Sequence, residues 1–422
     1  MATHLVYADA QGRIFDHPYL EMMGRHGREF CRIPADELIP LPPGSDLFVL
    51  PGRRPVGYDR RRRRLVRAGE SKDLPADAQA VAAFMAPAHT MRYLAAYTTR
   101  PRAPVLPLFA YTAVGWRAGR FWVAGWRSDP DVRQDIPLVD CVQVERGVRQ
   151  RLAAEPENRL LQHLAHCALT YGCPAARNLF LRRWEAPLPT SPVCNARCLG
   201  CLSHQPQPQF PAPMQRITFV PDPAEIAAVA VPHLQQVQQA VASFGQGCEG
   251  EPLLQGPTLL AAVQLIRRQT SRGTLNLNTN ASRPEVIEAL VDAGLDSLRV
   301  SLNSARPQYY AAYYRPQGYQ WTDVVAAIRA AKAGGAKVAL NYLIFPGFSD
   351  QPAEVAALSE LLARTEIDLI QLRNLNIDPD YYLSGIRWHD QERPLGIRRL
   401  VAHLQETFPG LRFGYFNPAW RG

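Results

Sequence analysis

The sequence predicts an α/β fold in which a parallel sheet is preceded by a smaller β-rich part. From residue 223 onward, helix-like and strand-like segments alternate regularly, and the strands are apolar enough to be buried on both faces. Upstream of residue 140, short aromatic and β-branched runs are separated by turns rich in glycine and proline. We therefore expect a β-rich accessory domain (1–140), a helical connector (141–174) and an α/β core (175–422).

The N-terminal part is predicted to consist mainly of strands. Residues 3–8 and 47–50 have the composition of short strands. The strongest signal covers residues 106–126, where two aromatic runs flank a glycine-containing loop and predict a hairpin. The alanine-rich segment 76–85 predicts a helix that ends at Pro87.

Most of the positive charge also lies in this part. The net charge is +9, and residues 1–190 hold 27 Lys and Arg against 19 Asp and Glu, whereas residues 191–422 hold 20 against 19. The run from Arg60 to Arg64 is typical of a solvated loop, although it also suits a polyanion. We expect this part to dock the substrate, because its hairpin carries aromatic residue types that are enriched at recognition surfaces, namely Trp116, Phe121, Trp122 and Trp126. The alternative is that the hairpin buries one aromatic face as its own core, which is the more common arrangement.

The connector has a helical pattern that ends near residue 172. His163 and Cys167 are one turn apart on the same helix face, and Cys173 follows the helix. A metal site that includes these side chains, together with Cys31 or Cys141, is one interpretation. The spacing matches no familiar metal motif, and free cysteine is often buried as a small apolar residue, so we favour a buried helix face.

The core is predicted to contain six strand–helix units that form a parallel sheet. The long Pro/Gln-rich segment 203–219 separates the first strand from the rest and is predicted to be a flap over the site, with a plain surface loop as the alternative. The predicted strands are 178–184, 241–245, 275–280, 297–302, 338–344 and 369–373, and the helices are 223–239, 258–268, 283–293, 321–333, 353–364 and 397–407.

Three cysteines follow the first predicted strand at spacings of four and three, namely Cys194, Cys198 and Cys201. Three thiolates at this spacing fit three corners of an iron–sulfur cube and leave one iron free for chemistry. A zinc knuckle with a distant fourth ligand, or three unremarkable thiols, are the alternatives that the trio alone leaves open.

A Gly-Glu-Pro turn at residues 250–252 follows the strand over 241–245. Glycines at a strand end let a ligand approach the main chain closely. Together with the cysteine trio, this turn resembles the radical S-adenosylmethionine (SAM) superfamily, and the resemblance covers roughly residues 175–415. It implies a partial (β/α)6 TIM-like barrel that opens at the C-terminal strand ends.

The resemblance also implies an oxygen-sensitive enzyme with a 4Fe–4S cluster that is held by the three cysteines. Such enzymes bind SAM at the fourth iron, cleave it reductively to a 5′-deoxyadenosyl radical and abstract hydrogen from a substrate. An electron donor such as flavodoxin or ferredoxin is implied. The substrate stays open between a small molecule, a peptide and a nucleic acid. A non-catalytic cluster-binding or SAM-binding sensor is the alternative, which the intact turn disfavours, and a zinc-binding interaction protein is a weaker one.

Polar residues at the predicted strand ends are candidates to contact SAM. By resemblance or by position, the SAM-binding candidates are Gly250, Glu251, Asn280, Ser301, Asn303, Asn341 and Arg373. Cys248 lies inside the turn, close to where the radical would form. It is a candidate catalytic hydrogen-atom donor or substrate ligand, with a small residue filling a tight turn as the favoured alternative.

The sequence departs from the family pattern in two places. Gly200 stands where relatives have an aromatic residue against adenine, so we expect Leu199, Leu202 or the strand ends to support the base. Asn303 stands where many relatives have an acidic residue. No cysteine follows Cys248, so we expect the chain to lack the cysteine-rich extensions of peptide-modifying relatives.

The composition predicts a globular cytoplasmic protein. The chain has 47% hydrophobic and 20% charged residues, with no apolar run of membrane-spanning length. Its start lacks a signal-peptide core, and clustered thiols without one indicate a reducing compartment. We therefore expect no membrane partner.

Overall fold

The computed structural model describes residues 2–72, 74–132, 135–205, 210–389 and 392–421. In these residues, one antiparallel sheet and one parallel sheet are joined by a group of helices. The α/β class and the β-rich N-terminal part therefore agree with the prediction.

The N-terminal sheet has thirteen strands within the described residues. The strands are β1 (His4–Ala8), β2 (Ile14–His26), β3 (Glu29–Arg32), β4 (Leu38–Pro40), β5 (Asp46–Leu50), β6 (Arg53–Asp59), β7 (Arg64–Arg67), β8 (Gln79–Phe84), β9 (His89–Met91), β10 (Leu94–Ala95), β11 (Tyr97–Thr99), β12 (Thr112–Arg117) and β13 (Arg120–Arg127). The main path of hydrogen-bonded neighbours runs β11-β6-β2-β1-β8-β12-β13-β4.

The predicted hairpin is confirmed over β12 and β13. Its two-residue turn consists of Ala118 and Gly119, whose φ angles of 50° and 77° match the primed turns that join twisted antiparallel strands. The predicted helix over residues 76–85 is wrong, because β8 occupies that segment and pairs along its length with β5. Helix propensity is a weak preference even for alanine, which has the highest, and pairing in a largely buried strand outweighs it.

Three helices connect the two sheets, namely α1 (Cys141–Ala154), α2 (Arg159–Leu169) and α3 (Pro174–Phe180). The third helix corrects the prediction of a first core strand over residues 178–184. Pro174 occupies the first turn of α3, where proline is well tolerated. Arg182 and Trp184 then have φ angles of 52° and 51°, which are incompatible with an extended strand, so the strand begins only at Glu185.

The core sheet has seven strands in the described residues, all parallel and in sequence order. The strands are β14 (Glu185–Leu188), β15 (Val241–Phe244), β16 (Thr274–Thr279), β17 (Ser297–Leu302), β18 (Lys337–Ile344), β19 (Leu369–Asn374) and β20 (Arg412–Gly414). The helices are α4 (Pro223–Gln236), α5 (Gly256–Gln269), α6 (Pro284–Asp292), α7 (Pro307–Tyr314), α8 (Trp321–Ala333), α9 (Pro352–Thr365), α10 (Pro379–Gly385) and α11 (Ile397–Thr407).

The predicted alternation is confirmed from α4 onward, and the sequence missed the short helices α7 and α10 and the last strand, β20. Since all strands are parallel, their carboxyl ends meet at one edge of the sheet, where ligands bind in such folds. No helix of the described residues combines the length and the apolar composition that a membrane crossing requires.

The N-terminal sheet packs against the carboxyl end of β19 through buried polar contacts. The Thr90 hydroxyl donates to the Leu372 carbonyl oxygen at 2.8 Å, and the Met91 N–H donates to the Asn374 side chain at 2.8 Å. Deeper in the interface, Arg53 forms an ion pair with Asp378, and both side chains are at most 3% exposed. The N-terminal sheet is therefore joined to the start of α10 by charges that water does not reach.

We predict that Arg53→Ala lowers the free energy of unfolding by about 3–5 kcal/mol, because it leaves the Asp378 carboxylate buried without its ion-pair partner. The neighbouring Arg54 is exposed, so Arg54→Ala is the matched control and should change the value by less than about 0.5 kcal/mol. Urea denaturation followed by tryptophan fluorescence measures both. Equal stability of the two variants would contradict the structural role of this ion pair.

Candidate functional site

A cavity of about 530 Å³ lies at the carboxyl ends of the core strands. This volume is in the range of sites that enclose a cofactor or a drug-sized ligand. Ten of the eleven residues that the sequence singled out line it, namely Cys194, Cys198, Cys201, Cys248, Gly250, Glu251, Asn280, Ser301, Asn341 and Arg373.

The glycine-rich turn is held against the segment that leads into the cysteine loop. The Gly250 N–H donates to the Ser191 carbonyl oxygen at 2.7 Å, and the Glu251 N–H donates to the Val193 carbonyl oxygen at 2.8 Å. A Cβ atom on Gly250 would lie 1.9 Å from the Val193 carbonyl oxygen. Glycine is thus required here because another part of the backbone comes close, whereas the sequence suggested the approach of a ligand.

Glu249, which the sequence analysis did not single out, strengthens this contact. Its buried carboxylate accepts the N–H groups of Thr190 and Ser191 at 2.7 and 2.9 Å, and that of Gln246 at 2.7 Å. Burial raises the pKa of Glu249 to about 8, although the three backbone donors oppose this shift. A carboxylate that is surrounded by backbone donors of two segments fixes their relative position.

Glu251 joins the same turn to the end of β16. Its carboxylate accepts the Thr279 hydroxyl, the Asn280 N–H at 2.8 Å and the Leu253 N–H at 3.1 Å. Burial raises its pKa to about 7. Both carboxylate oxygens are thus engaged by the chain itself, so this side chain orders the cavity wall.

The three cysteines of the loop line the same cavity. Burial raises the pKa of Cys194 to about 11, and Glu251 adds to this effect. Burial, together with the other two thiols, raises the pKa of Cys198 well above its usual range. Neighbouring thiolates repel one another, so ionising these thiols costs free energy. A bound cationic metal group offsets that cost. The donor set therefore fits an iron–sulfur cluster.

Tyr313 occupies the space beside Gly200. A Cβ atom on Gly200 would lie 3.0 Å from the Tyr313 hydroxyl oxygen. The N–H of Leu199 donates to the Tyr313 carbonyl oxygen at 3.0 Å, which fixes the cysteine loop to the end of α7. Tyr313 and Leu202 line the cavity, whereas Leu199 is buried away from it. An aromatic side chain is thus present at this place in the cavity, but it comes from a helix that the sequence analysis missed.

Polar side chains at the strand ends line the cavity, and they differ in how many hydrogen-bond partners they have within the chain. The Asn280 side chain donates to the Asn195 side chain at 2.8 Å, and Arg373 donates to the Tyr415 carbonyl oxygen at 3.1 Å. The Asn341 Oδ1 atom is buried and accepts no hydrogen bond from the described residues. Since a buried polar atom without a partner is costly, Asn341 is well suited to a ligand that donates to it.

Asn303 differs from its predicted position. It is buried outside the lining of the cavity, and its side chain donates to the Tyr309 carbonyl oxygen and the Tyr382 hydroxyl, both at 3.3 Å.

The sequence analysis missed Arg299, which lines the cavity. Burial and the nearby Arg373 lower the pKa of Arg299 to about 10. Its position two residues before Ser301 on β17 was the available signal, because alternate residues of a strand share a face.

The segment predicted to be a flap contributes to the wall. Met214 and Arg216 line the cavity, and the Arg216 guanidinium donates to the Cys201 sulfur at 3.5 Å and to the Ser203 hydroxyl at 3.1 Å. Residues 206–209 of this segment lie outside the described residues.

Cys248 lies beside the connector helix. Its sulfur is 3.4 Å from the His163 Nε2 atom, and that nitrogen is 3.5 Å from the Cys167 sulfur. Hydrogen bonds from the Cys248 thiol and from His163 lower the pKa of Cys167 to about 5, and the same proton sharing raises the pKa of Cys248. The structure thus brings together three residues that the sequence analysis treated in two separate groups.

The aromatic hairpin lies outside the cavity. Trp116 and Phe121 pack edge-to-face at 4.7 Å, and the Arg117 guanidinium lies 3.5 Å from the Trp122 ring centroid. Among the described N-terminal residues, Pro87 contributes to the cavity lining, and none of the four hairpin aromatics does. The run from Arg60 to Arg64 is exposed and includes the turn between β6 and β7.

One family model matches the central part of this chain. Residues 188–358 match the model of the Radical SAM superfamily. The chain is 26% identical over 180 residues to the FeMo cofactor biosynthesis protein NifB of Klebsiella pneumoniae, covering 39% of this chain and 37% of that protein. It is 30% identical over 178 residues to the GTP 3′,8-cyclase of Ectopseudomonas mendocina, covering 42% of this chain and 49% of that protein. The chain therefore spans half or less of the length of these relatives.

Among solved structures, methylornithine synthase is similar with a TM-score of 0.38 and 13% identity, covering 63% of this chain and 73% of that one. Radical SAM enzymes use a 4Fe–4S cluster and SAM, and the donor set of this cavity fits such a cluster.

We predict that Gly250→Ala abolishes formation of the cluster, because the new methyl group collides with the Val193 carbonyl oxygen and displaces the cysteine loop. Gly247→Ala is the matched control. Its methyl group would meet the flexible end of Met214 at 3.3 Å, so the cluster should form. Iron and sulfide content after anaerobic purification measures both variants. A full cluster in Gly250→Ala would show that the contact is not needed to shape the loop.

Proposed function

We propose that this chain is an enzyme that reductively cleaves SAM and abstracts a hydrogen atom from a substrate, because residues 188–358 match the model of the Radical SAM superfamily. One observation carries the proposal: the three cysteines and the Gly-Glu-Pro turn line a single cavity and are held together by backbone hydrogen bonds. A protein that only carries electrons needs no such turn beside its cluster.

Cys194, Cys198 and Cys201 would hold three irons of a 4Fe–4S cluster and leave the fourth to the amino and carboxylate groups of SAM. When bound, these cofactors supply an electron and the 5′-deoxyadenosyl group that becomes the hydrogen-abstracting radical. We propose that the parallel sheet curves into the partial (β/α)6 barrel of this superfamily, with an electron donor such as flavodoxin or ferredoxin docking near the cysteine loop.

The remaining lining residues would orient SAM and its substrate. Asn341 offers an acceptor that has no partner within the chain, and Ser301 lies beside it on the neighbouring strand. Arg299 on β17 and Arg373 near the end of β19 place two cations in the lining of the same cavity. Charged groups in a site of low polarity need counter-charges, so these arginines suit a carboxylate or phosphate of the bound molecules.

We propose that the N-terminal domain (1–140), through the connector (141–174), positions the substrate over the core (175–422). Pro87 lines the cavity, and the segment that follows it contacts the end of β19. These contacts support a role beside the cavity, whereas the aromatic hairpin is engaged in packing within its own sheet. The substrate class stays open between small molecule, peptide and nucleic acid.

Replacement of Cys194, Cys198 and Cys201 by alanine should abolish iron and sulfide binding by the loop and, with dithionite and SAM, the release of 5′-deoxyadenosine. Cys141→Ala is the control, since this thiol is exposed on α1, and it should keep the cluster and the product. Chromatography of the acid-quenched reaction measures 5′-deoxyadenosine. A parent protein that binds a cluster yet never forms this product would favour a sensor over an enzyme.

Asn341→Ala should weaken SAM binding about tenfold, which corresponds to the loss of about 1.4 kcal/mol for a hydrogen bond to a buried acceptor. Asn303→Ala is the matched control, because that side chain lies outside the cavity. It should lower stability and leave the SAM affinity of the folded protein unchanged. Equilibrium binding to the anaerobic, cluster-loaded protein provides both values. If Asn303→Ala alone weakened SAM binding, Asn303 would be the residue that contacts SAM and Asn341 would not.

A further inference from the structure

A second set of metal-ligand side chains lies at the wall of the cavity that holds the cluster cysteines, and two of its three members, Cys167 and Cys248, line that cavity. The ligand atoms of His163, Cys167 and Cys248 all lie within 4.8 Å of one another. Both sulfur atoms lie close to the same imidazole nitrogen, Nε2, at 3.4 and 3.5 Å. We propose that these three side chains bind one zinc-class divalent ion whose fourth coordination position opens into the cavity.

The distances fit a single ion. Zinc binds thiolate sulfur at about 2.3 Å and imidazole nitrogen at about 2.0–2.1 Å. In a tetrahedral site these bonds separate a nitrogen and a sulfur ligand by about 3.6 Å and two sulfur ligands by about 3.8 Å. The two observed N···S distances need little change to reach that geometry. A 4Fe–4S cluster, in which each side chain binds a different iron, would spread its ligand atoms further apart.

Both ligand-bearing segments are fixed in place. His163 and Cys167 are four residues apart on α2, so they share one helix face. That helix is anchored by its buried leucines and by Asn158, whose side chain accepts the Leu161 N–H at 2.9 Å. Cys248 follows β15, and its carbonyl oxygen accepts the Ile217 N–H at 2.7 Å. Binding an ion would therefore cost little conformational entropy.

The fourth position is set by the cavity. The cavity lining includes Cys167 and Cys248, so an ion between them would lie at its wall. Cys173 also lines the cavity but lies outside the group of close ligand atoms. Three protein ligands with one open position are typical of catalytic zinc sites, in which water or a donor atom of the substrate completes the coordination. The ion would thus hold a sulfur, nitrogen or oxygen donor of the substrate beside the SAM-binding turn.

The test measures zinc, iron and sulfide in the full-length chain after anaerobic purification. We expect about one zinc per chain, as for a mononuclear site, and we expect it to remain when the three loop cysteines are replaced by alanine. Cys167→Ser and Cys248→Ser should each lose it, whereas Cys141→Ser should retain it. If Cys248→Ser fails to fold, Cys167→Ser carries the test, because it changes a helix face and leaves the turn intact.

Cobalt(II) provides a second measurement in the variant without loop cysteines, where no cluster absorbance interferes. One equivalent should bind with thiolate-to-cobalt charge-transfer absorption, which the additional change Cys167→Ser removes. The site is overturned by absence of both zinc and cobalt binding, by equal metal content in Cys167→Ser and Cys141→Ser, or by a Cys167–Cys248 disulfide in the anaerobic protein. Loss of the ion in Cys173→Ser would show that Cys173 is a fourth protein ligand, and it would overturn the proposal of an open coordination position. Since metal content is measured without turnover, the result does not depend on the proposed radical activity.

Discussion

The contact between the Gly-Glu-Pro turn and the cysteine loop is the constraint on which the cavity depends. Two backbone hydrogen bonds from Gly250 and Glu251 join the turn to residues 191–193, and the Glu249 carboxylate adds bonds to the same segment. Burial of a carboxylate costs free energy that these backbone donors must offset. Because the donors come from both segments, neither segment can shift without breaking buried hydrogen bonds. The proposed cluster and SAM sites are therefore fixed relative to each other by the protein alone.

The N-terminal part supports the opposite wall of this cavity. Asn374, which lines the cavity, donates to the His89 carbonyl oxygen at 3.0 Å and accepts the Met91 N–H. The Asp129 carboxylate accepts the N–H groups of Tyr415 and Phe416, which also line the cavity, at 2.8 and 3.2 Å. The core therefore does not hold every wall of its site by itself. Removal of the N-terminal part would unpair buried charges and release cavity walls.

Features that are local in sequence were predictable, and features that depend on distant contacts were not. The cysteine spacing, the Gly-Glu-Pro turn and the strand–helix alternation each lie within short windows. The strand over residues 79–84 was missed because its pairing with β5, and not its alanine content, determines its conformation. Asn303 is a polar residue just after a strand, where a ligand contact is expected, but its side chain donates hydrogen bonds to residues of α7 and α10. The hydrophobic periodicity of the sequence did not reveal these two helices. The approach of Cys248 to α2 joins residues 85 positions apart, and no local pattern encodes it.

The position of Cys248 links the two proposed sites. It lies two residues before Gly250, so one short turn would supply a ligand to the divalent ion and part of the wall of the proposed SAM site. The bonds of Glu249 hold this turn on one side, and α2 approaches it on the other. An ion that draws Cys248 toward His163 would pull on the same rigid turn, and small displacements there are resisted by buried hydrogen bonds. A substrate that is bound to the ion would then lie at a fixed distance from the turn that lines the proposed SAM site. Selective hydrogen abstraction requires such a fixed distance between the reacting groups.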